Sequence, residues 1–528
     1  MKPPSVSVFV AVCAGSLAGV SVATAQWTDI AAINTPFVTK AGEQTQPKVA
    51  PTSDGGAYVS WFDNATGGYD VFMQRIDAQG VRAWDPSGVL VADRSFSSTQ
   101  DYGMAVDTSG HAIVAFRDDR FGGIVVTASR VSPAGMLDWG VNGVQLPVAG
   151  GFIGPIRVAA TSDGNSVVAW SDGSFVRVVK LDSAGSIVWA KDIVPASNSY
   201  VASYLVPSDA PGQSGQVIVL LTTSGNFLAP RHIHAQKLDA SGNALWGQNP
   251  VVIYSGPSIQ IGYFPSAIPD SLGGMVLSWY STSPLQVFAQ RVNAMGAIYF
   301  SAPGLAVSTD ATRTRVSPDV TFDANNDFIT VYWTEMNGAQ SQHGVYGQRI
   351  DASGTRMWGN EGAILVPIGP NEITQVRALS FGDESLAAWV ETLSFGNQRL
   401  WASRRSTTGS GVWTPEMLLT ASSTSSKSRL VARTLADGAA LMTWVDGRND
   451  SGDIFGQRIN ADGTLGPGGP TCAPIDLNCD GVVDVLDLLI LLGAWGACGK
   501  GDCAADLNAD GVVDVLDLLI LLGNWGPV

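Results

Sequence analysis

Eight copies of one short repeat occupy residues 27–470, and no other sequence feature restricts the possible fold as strongly. The clearest copies read Gln, Arg or Lys, a hydrophobic residue and Asp or Asn, followed three residues later by Gly. They begin at Gln74, Gln236, Gln290, Gln348 and Gln457, and weaker copies begin at Ser129, Val179 and Ser403. Spacings of about 50 to 58 residues are typical of propellers and solenoids.

Every copy has the same internal plan, which predicts four strands. A short apolar segment comes first, as at 57–62, 166–170, 275–279 and 440–444, with Asp-Gly or Gly-Gly turns before it. The Gln-Arg strand follows, and then a tight turn rich in Asx and Gly residues. An aromatic residue and a fourth strand end the copy, for example Trp84 and then 89–92. Four strands without helical periodicity indicate a propeller blade.

The two ends of the array favour a closed ring. The eighth copy stops at 463–466 without a closing aromatic or a fourth strand, and the missing piece stands at the front as Trp27 and 36–39. The equivalent aromatic residues are then Trp27, Trp84, Trp139, Trp189, Trp246, Phe300, Trp358 and Trp413. A ring needs its last blade completed by the first strand. We therefore expect an eight-bladed β-propeller, with seven blades or an open array as alternatives.

Residues that recur in every copy indicate packing rather than ligand binding. We expect Trp61, Trp170 and Trp279 to fill the space between blades. Gln74 and Arg75 are expected to satisfy strand edges or to form ion pairs between blades. Function would instead reside in residues that differ between copies, and the candidates are the loops at 64–69, 118–123 and 335–343.

The N-terminus resembles an export signal. Lys2, a largely apolar run over 8–23 and Ala-Thr-Ala at 23–25 are typical of a secretory signal peptide, so we expect cleavage after Ala25. This predicts a secreted protein, free or attached to the cell surface. The net charge of −16 disfavours nucleic acid as a partner.

The cysteines of the mature chain lie together near the C-terminus, at Cys472, Cys479, Cys498 and Cys503. In an exported protein an even, clustered set indicates two disulfides, and the sequence leaves all three pairings open. A zinc site is the competing interpretation.

No catalytic motif is evident. The sequence contains no nucleophile elbow, metalloprotease helix or phosphate loop. His232 and His234 would share one face of a strand, but without a third metal ligand an ordinary polar face is favoured. A glycoside hydrolase needs only two suitably spaced carboxylates, so that activity stays an alternative without assigned residues.

Two loops near the C-terminus carry the most specific signal. Oxygen-bearing side chains occupy loop positions 1, 3, 5, 9 and 12, and Gly occupies position 6, which is the EF-hand spacing with Asp in place of the usual Glu at position 12. The backbone carbonyls of Val482 and Val512 would serve position 7. We predict two calcium ions, one held by each loop. The side-chain ligands would be Asp476, Asn478, Asp480, Asp484 and Asp487 in the first loop, and Asp506, Asn508, Asp510, Asp514 and Asp517 in the second.

This duplicated loop resembles the type I dockerin domain over about residues 474–526. The shared marks are two Asp-x-Asn-x-Asp-Gly loops with Asp at position 12, each followed by a helix. The resemblance implies a module with pseudo-two-fold symmetry that binds a cohesin domain. In the family, loop positions 10 and 11 help to contact the cohesin, and here these positions hold Val485, Leu486, Val515 and Leu516. They are apolar, whereas dockerins often carry polar residues there.

Each loop is followed by five successive apolar residues, at 488–492 and 518–522, which would cover every side of a helix. Packing of the two helices against each other would hide one side of each. The remainder is expected to meet a partner or to pack on the propeller.

These patterns give one domain plan and three functional hypotheses. The plan is a signal peptide at 1–25, a propeller at 26–466, a linker at 467–474 and a dockerin-like domain at 475–528. The favoured hypothesis is calcium-dependent attachment to a cohesin-like scaffold or surface protein, with the propeller binding glycan or protein in extracellular polysaccharide breakdown. The alternatives are a glycoside hydrolase carried by the propeller and a structural or adhesive cell-surface protein.

Overall fold

Eight four-stranded antiparallel sheets form the blades of a closed propeller in a computed structural model of the chain. The structure describes all residues except 1–26, 97–98, 100, 209, 226–228, 468–474, 478–481, 499–502, 504, 509 and 528. The predicted signal peptide, most of the predicted linker, the candidate ligands Asn478 and Asp480, and Cys472 and Cys479 lie outside the described residues.

The propeller strands are short and regularly spaced. In chain order they are β1 (Thr35–Val38), β2 (Gln44–Pro51), β3 (Ala57–Asp63), β4 (Asp70–Ile76), β5 (Val89–Ala92), β6 (Gly103–Val106), β7 (Ala112–Asp118), β8 (Val125–Val131), β9 (Val144–Leu146), β10 (Ile153–Ala160), β11 (Ser166–Asp172), β12 (Phe175–Leu181), β13 (Ile187–Ile193), β14 (Ser199–Pro207), β15 (Val217–Ser224), β16 (Ile233–Leu238), β17 (Val251–Tyr254), β18 (Ala267–Pro269), β19 (Met275–Thr282), β20 (Leu285–Val292), β21 (Leu305–Ala306), β22 (Arg313–Asp323), β23 (Phe328–Asn337), β24 (His343–Ile350), β25 (Ala363–Gly369), β26 (Glu372–Phe381), β27 (Glu384–Ser394), β28 (Asn397–Arg405), β29 (Leu418–Ala421), β30 (Lys427–Thr434), β31 (Ala440–Asp446) and β32 (Asp453–Ile459).

Blades one to seven are the consecutive groups from β2–β5 to β26–β29, and blade eight consists of β30, β31, β32 and β1. The first strand of each blade contacts the first strands of the neighbouring blades, and β30 contacts β2, so these strands surround the central axis. In blade eight, β1 pairs with β32 through Thr35 opposite Gly456 and Pro36 opposite Phe455. The predicted eight blades and the predicted closure by an N-terminal strand are therefore confirmed.

The second strand of every blade is mostly buried and contributes to the core between blades. Trp61, Trp170 and Trp279 are fully buried, as predicted. One apolar cluster contains Trp61 of blade one together with Leu441 of blade eight, so the core joins neighbouring blades rather than filling each blade separately. Seven of the eight second strands bury a large aromatic side chain, and this burial is a major source of stability in a ring of this kind.

The eight predicted aromatic residues connect successive blades. Each of them lies against the glycine of the tight turn in the next blade. The seven tryptophans also donate an indole N–H hydrogen bond of 2.8–3.1 Å to a backbone carbonyl of that turn. Trp27 makes this contact with the turn of blade one and so extends the ring closure.

The Gln-Arg motif has a local structural role. Gln74 accepts from the backbone N–H of Trp84 and donates to the carbonyl of Asp85. These bonds hold the segment that leads into the fourth strand against its own blade. Arg349 pairs with Asp323 of its own blade at 2.8 Å and donates to the carbonyl of Asp383 in the next blade. The expected contacts between blades are therefore mostly hydrogen bonds to carbonyls, whereas most ion pairs lie within a blade.

The C-terminal module contains two short helices and two short antiparallel pairs. Its elements are β33 (Val482–Val483), α1 (Val485–Gly493), β34 (Gly496–Ala497), β35 (Val512–Val513), α2 (Val515–Gly523) and β36 (Gly526–Pro527). Among the described residues, no helix is long and apolar enough to cross a membrane.

Candidate functional site

The two halves of the C-terminal module are joined by exchanged strand pairs. The strand of the first loop, β33, pairs with β36, which follows the second helix, and β35 of the second loop pairs with β34, which follows the first helix. The registers correspond, because Val483 lies opposite Gly526 and Val513 lies opposite Gly496. This reciprocal pairing gives the module its pseudo-two-fold symmetry.

Each helix begins with an identical aspartate pair. Asp514 caps α2 by accepting from Leu516 N–H at 2.7 Å, and Asp517 accepts from Asp514 N–H at 2.8 Å. Asp484 and Asp487 repeat this capping box at α1. Negative side chains in the first turn also complement the positive end of the helix. The position-9 and position-12 acids therefore start the helices, a role that the sequence analysis did not assign to them.

The carboxylate at loop position 12 points back into the second loop. Asp517 is fully buried and accepts from Leu507 N–H at 2.7 Å and Asn508 N–H at 3.1 Å. Burial raises the pKa of Asp517, but backbone hydrogen bonds from Asp514, Asn508 and Leu507 outweigh it, so the pKa is lowered and the group stays ionised. An ionised, buried carboxylate is thereby held at the base of the loop.

The remaining acids of the second loop are also turned inward. Asp506 accepts from the backbone N–H groups of Asp510 at 3.1 Å and Gly511 at 2.8 Å. Asp510 accepts from Val512 N–H at 3.0 Å. Gly511 has a φ of +90°, the left-handed region that glycine enters without strain. The donor set is made of oxygen atoms, which suits a hard cation such as Ca²⁺.

Residues 474–523 match the family model described as the dockerin type I domain. The C-terminal module is a type I dockerin domain. No curated protein sequence matches the chain. Dockerin domains as a class bind calcium and cohesin domains, and proteins that carry them are typically extracellular.

Solved structures with some similarity to the propeller are distant in sequence. Puromycin hydrolase has a TM-score of 0.40 at 12% identity over 80% of this chain, and the chain spans only 61% of that protein. The Dos1 propeller has a TM-score of 0.44 at 11% identity, covering 80% of this chain and 93% of that one. The polysaccharide lyase Uly1 has a TM-score of 0.41 at 10% identity, covering 80% and 91%.

The described ligand candidates of the dockerin domain follow the two-fold symmetry. Asp476 is buried and lies before α1, as Asp506 lies before α2. Within the described part of the chain, no three His, Cys, Asp or Glu side chains converge on one point. Cys498 and Cys503 form a disulfide, which selects one bridge among the pairings that the sequence left open.

The residues at loop positions 10 and 11 lie on an exposed apolar surface. Val485 and Val515 are each 54% exposed, and Leu486 and Leu516 are each 50% exposed. Further exposed apolar residues follow along each helix and just beyond it, namely Leu489, Ile490, Leu492, Trp495, Leu519, Leu522 and Trp525. We refer to these eleven residues as the dockerin apolar face. Each helix buries only one of its sides. The buried side consists chiefly of Leu491 in α1 and Leu521 in α2, which belong to the small core of the domain.

The two histidines and the three candidate loops of the propeller do not form a common site. His232 contacts the carbonyl of Gly256, whereas His234 contacts the hydroxyl of Tyr200. The loops at 64–69, 118–123 and 335–343 are the connections between the second and third strands of blades one, two and six. None of their residues lines the large cavity at the centre of the propeller.

Proposed function

We propose that this is a secreted protein whose dockerin domain attaches it, with calcium, to a cohesin-type domain of a scaffold or surface protein. The domain plan of the proposal is a signal peptide at 1–25, the propeller at 26–466, a linker at 467–474 and the dockerin domain at 475–528. The propeller is the carried binding module and takes a glycan or protein ligand in extracellular polysaccharide breakdown. The main support for this attachment is the dockerin apolar face, which is exposed beside the buried position-12 acids.

Two calcium ions are part of the proposal. The first would be held by Asp476, Asn478, Asp480, Asp484, Asp487 and the carbonyl of Val482, and the second by Asp506, Asn508, Asp510, Asp514, Asp517 and the carbonyl of Val512. The ion supplies positive charge to a set of carboxylates that would otherwise repel each other. Because the position-9 and position-12 acids also cap the helices, ion binding and helix formation are coupled.

The partner surface is the second part. Contiguous exposed apolar area on a small domain indicates a protein contact. Val485, Leu486, Val515 and Leu516 lie at the N-terminal ends of the two helices, next to the calcium loops. A cohesin that covers these residues would remove them from water, and loss of the ion would disorganise the same surface.

The attachment is tested by biolayer interferometry of the full mature chain against a panel of immobilised cohesin domains, in calcium and in EDTA. Calcium-dependent binding to at least one cohesin is expected. The variant Leu486→Asp/Leu516→Asp should lose it, because it buries charge in both copies of the contact. The matched control is Leu90→Asp/Val252→Asp, which alters two exposed apolar residues of the propeller. Equal binding by the two variants would contradict the proposal.

The carboxylates of the central cavity favour a binding role for the propeller over a hydrolytic one. Two described carboxylates line this cavity, Asp101 and Asp319. Burial opposes ionisation of Asp101, but the charges of Lys48 and Arg157 outweigh it and hold the pKa of that carboxyl well below its usual range. Such a group cannot serve as the general acid of glycoside hydrolysis, and because Lys48 and Arg157 occupy both of its oxygens it is not free to act as the nucleophile or base either. Release of reducing sugar from any polysaccharide by the purified mature chain would favour the hydrolase alternative instead.

A further inference from the structure

The propeller encloses a cavity of about 1020 Å³ at its axis. Eight of its lining residues lie in the innermost strands of the eight blades or directly before them. Seven of them pair opposite the residue that precedes the large hydrophobic side chain of the second strand. The eighth, Ser266, directly precedes Ala267, the first paired residue of β18. We call these eight residues the axial ring. They are Lys48, Gly103, Arg157, Tyr204, Ser266, Asp319, Arg377 and Val431.

The axial ring differs from blade to blade, unlike the residues that pack the blades. No residue type occurs in more than two of its eight positions, whereas tryptophan fills the core position of six blades. A variable position on a repeated framework is where a repeat protein places its ligand contacts. The axial ring therefore varies between copies of the repeat, which is the property that we expected of a functional site and had looked for in the loops.

Irregular backbone next to the axial ring turns these side chains toward the axis. In six blades the innermost strand shifts register just before the ring position. In four of them a non-glycine residue of the bulge has a φ between 52° and 56°, namely Gln46, Ser317, Gln375 and Arg429. Bulges re-aim side chains, and strained backbone of this kind is concentrated at functional sites.

The charges of the cavity are unbalanced. Its described lining holds four cations, Lys48, Arg157, Arg377 and Arg433, against the carboxylates of Asp101 and Asp319, in a chain whose net charge is −16. Lys48 and Arg157 both pair with Asp101. The other two cations of the lining are the guanidinium groups of Arg377 and Arg433.

Arg377 and Arg433 form no ion pair with any residue that the structure describes. Arg377 donates to the carbonyls of Leu430 and Val376, each at 2.9 Å, and Arg433 donates to that of Ala432 at 2.8 Å. Burial lowers the pKa of Arg377; the charge of Asp319 opposes this and the charge of Arg433 adds to it. Two cations thus share one cavity, and neither forms an ion pair with a described carboxylate, Asp319 included.

We propose that the central cavity binds a carboxylate-bearing saccharide, a uronate unit of an acidic glycan, and that Arg377 and Arg433 hold its carboxylate. A guanidinium binds a carboxylate through paired, charge-assisted hydrogen bonds. The rings of Tyr204, Tyr263 and Phe264 line the same cavity and offer apolar faces to a sugar. A volume at the upper end of ligand pockets, about 300–1,000 Å³, accommodates an oligosaccharide rather than an inorganic ion alone.

This inference specifies the ligand class of the propeller in the proposed function and does not depend on cohesin attachment. The test is isothermal titration calorimetry of the full mature chain in calcium with uronate trisaccharides of galacturonate, mannuronate and glucuronate type. The same trisaccharides reduced to alcohols at their carboxyl groups, and inorganic phosphate, are the comparison ligands. Binding of at least one uronate trisaccharide is expected, at least about tenfold tighter than its reduced form.

Two variants test the residues. Arg433→Gln alters an exposed side chain and should weaken uronate binding at least about tenfold with an unchanged unfolding midpoint. Arg377→Gln should weaken it as much, with some loss of stability because the hydrogen bond to Leu430 joins blades seven and eight. Arg429→Gln is the matched control, since it removes one exposed charge outside the cavity and places glutamine at a bulge position where Gln46 and Gln375 already stand.

The outcomes are distinct. Uronate binding that is lost in Arg433→Gln and retained in Arg429→Gln supports the proposal. Binding of phosphate without any saccharide, equal binding of the reduced sugars, or unchanged uronate binding in both cavity variants overturns it. Cohesin binding is measured on the same samples, so that a failure of the attachment is separated from a failure of the cavity.

Discussion

The indole ring of Trp246 in blade four lies over Gly296 in blade five, and its Nε1 donates to the carbonyl of Ala294 at 2.9 Å. A Cβ atom on Gly296 would stand 2.8 Å from Cγ of that ring, so any other residue there would force the ring to move. An aromatic ring lies against the turn glycine at all eight seams, and the indole hydrogen bond recurs at seven of them. Each seam therefore depends on one aromatic side chain and on the glycine that leaves room for it.

Gly296→Ala is expected to destabilise the propeller by about 2–5 kcal/mol. The change adds the left-handed backbone cost of about 1–2 kcal/mol to an overpacking cost of about 1–3 kcal/mol. Gly247→Ala is the control, because Gly247 also has a positive φ but a Cβ there meets open space. It should show the backbone cost alone in urea unfolding followed by tryptophan fluorescence. Equal losses in the two variants would contradict the steric explanation.

Phe300→Trp is expected to stabilise the seam between blades five and six. Phe300 is the one aromatic of the eight without an N–H group, and it lies against Gly354 as the tryptophans lie against theirs. An indole there should donate to the carbonyl of Ala352 and contribute about 0.5–1.5 kcal/mol. The urea midpoint measures the gain. Phe300→Tyr adds a polar atom at another place on the ring, so an equal gain from tyrosine would argue against this hydrogen bond.

Calcium removal should unfold the dockerin domain and leave the propeller folded. EDTA is expected to reduce the helical circular dichroism of α1 and α2, since the acids that cap these helices also belong to the proposed ligand sets. Native mass spectrometry should find two calcium ions on the mature chain and one on Asp517→Asn. Asp462→Asn, in an exposed turn of blade eight, should retain both ions. A dichroism spectrum unaffected by EDTA would be inconsistent with this coupling.

The stability of the propeller should rise with pH from about 8 toward 9. Burial lowers the pKa of Lys237 and of Lys427 to about 8 in the folded protein, against a smaller opposing effect of Asp270 and Asp446, respectively. Between pH 8 and 9 these two lysines bind more protons in the unfolded chain, where their pKa is about 10.4, so the free energy of unfolding increases with pH. Closer to pH 10 tyrosines such as Tyr58, whose pKa burial raises to about 12, act in the opposite direction. Lys237→Met/Lys427→Met should flatten the dependence of the urea midpoint on pH. A slope that survives both substitutions would exclude these lysines as its source.

The sequence predicted most of the fold because the information is repeated. The Gln-Arg motif, its turn and its aromatic recur eight times, and the displacement of Trp27 and 36–39 to the front indicates ring closure. The predictions of the four-stranded repeat and of ring closure both depend on strand periodicity and turn chemistry, which are local properties of the chain. The dockerin loops were predictable for the same reason, since their ligand spacing lies within twelve residues of sequence.

The axial ring was not predictable in this way. Lys48 and Arg377 stand more than 300 residues apart in the sequence, and neither lies in a motif. They line one cavity only because the blades close around an axis, and a one-residue bulge in each strand decides that they face it. The double role of Asp514 and Asp517 as helix caps likewise became visible only with their hydrogen-bond partners.

What the sequence by itself determined is therefore the repeated unit, the number of units and the duplicated calcium-loop pattern, because each depends on contacts between near neighbours in the chain. What only the tertiary structure decided is which residues meet at the axis and which helix sides stay exposed. Those outcomes follow from ring closure and from the exchanged strand pairs, where residues distant in sequence are brought together by packing.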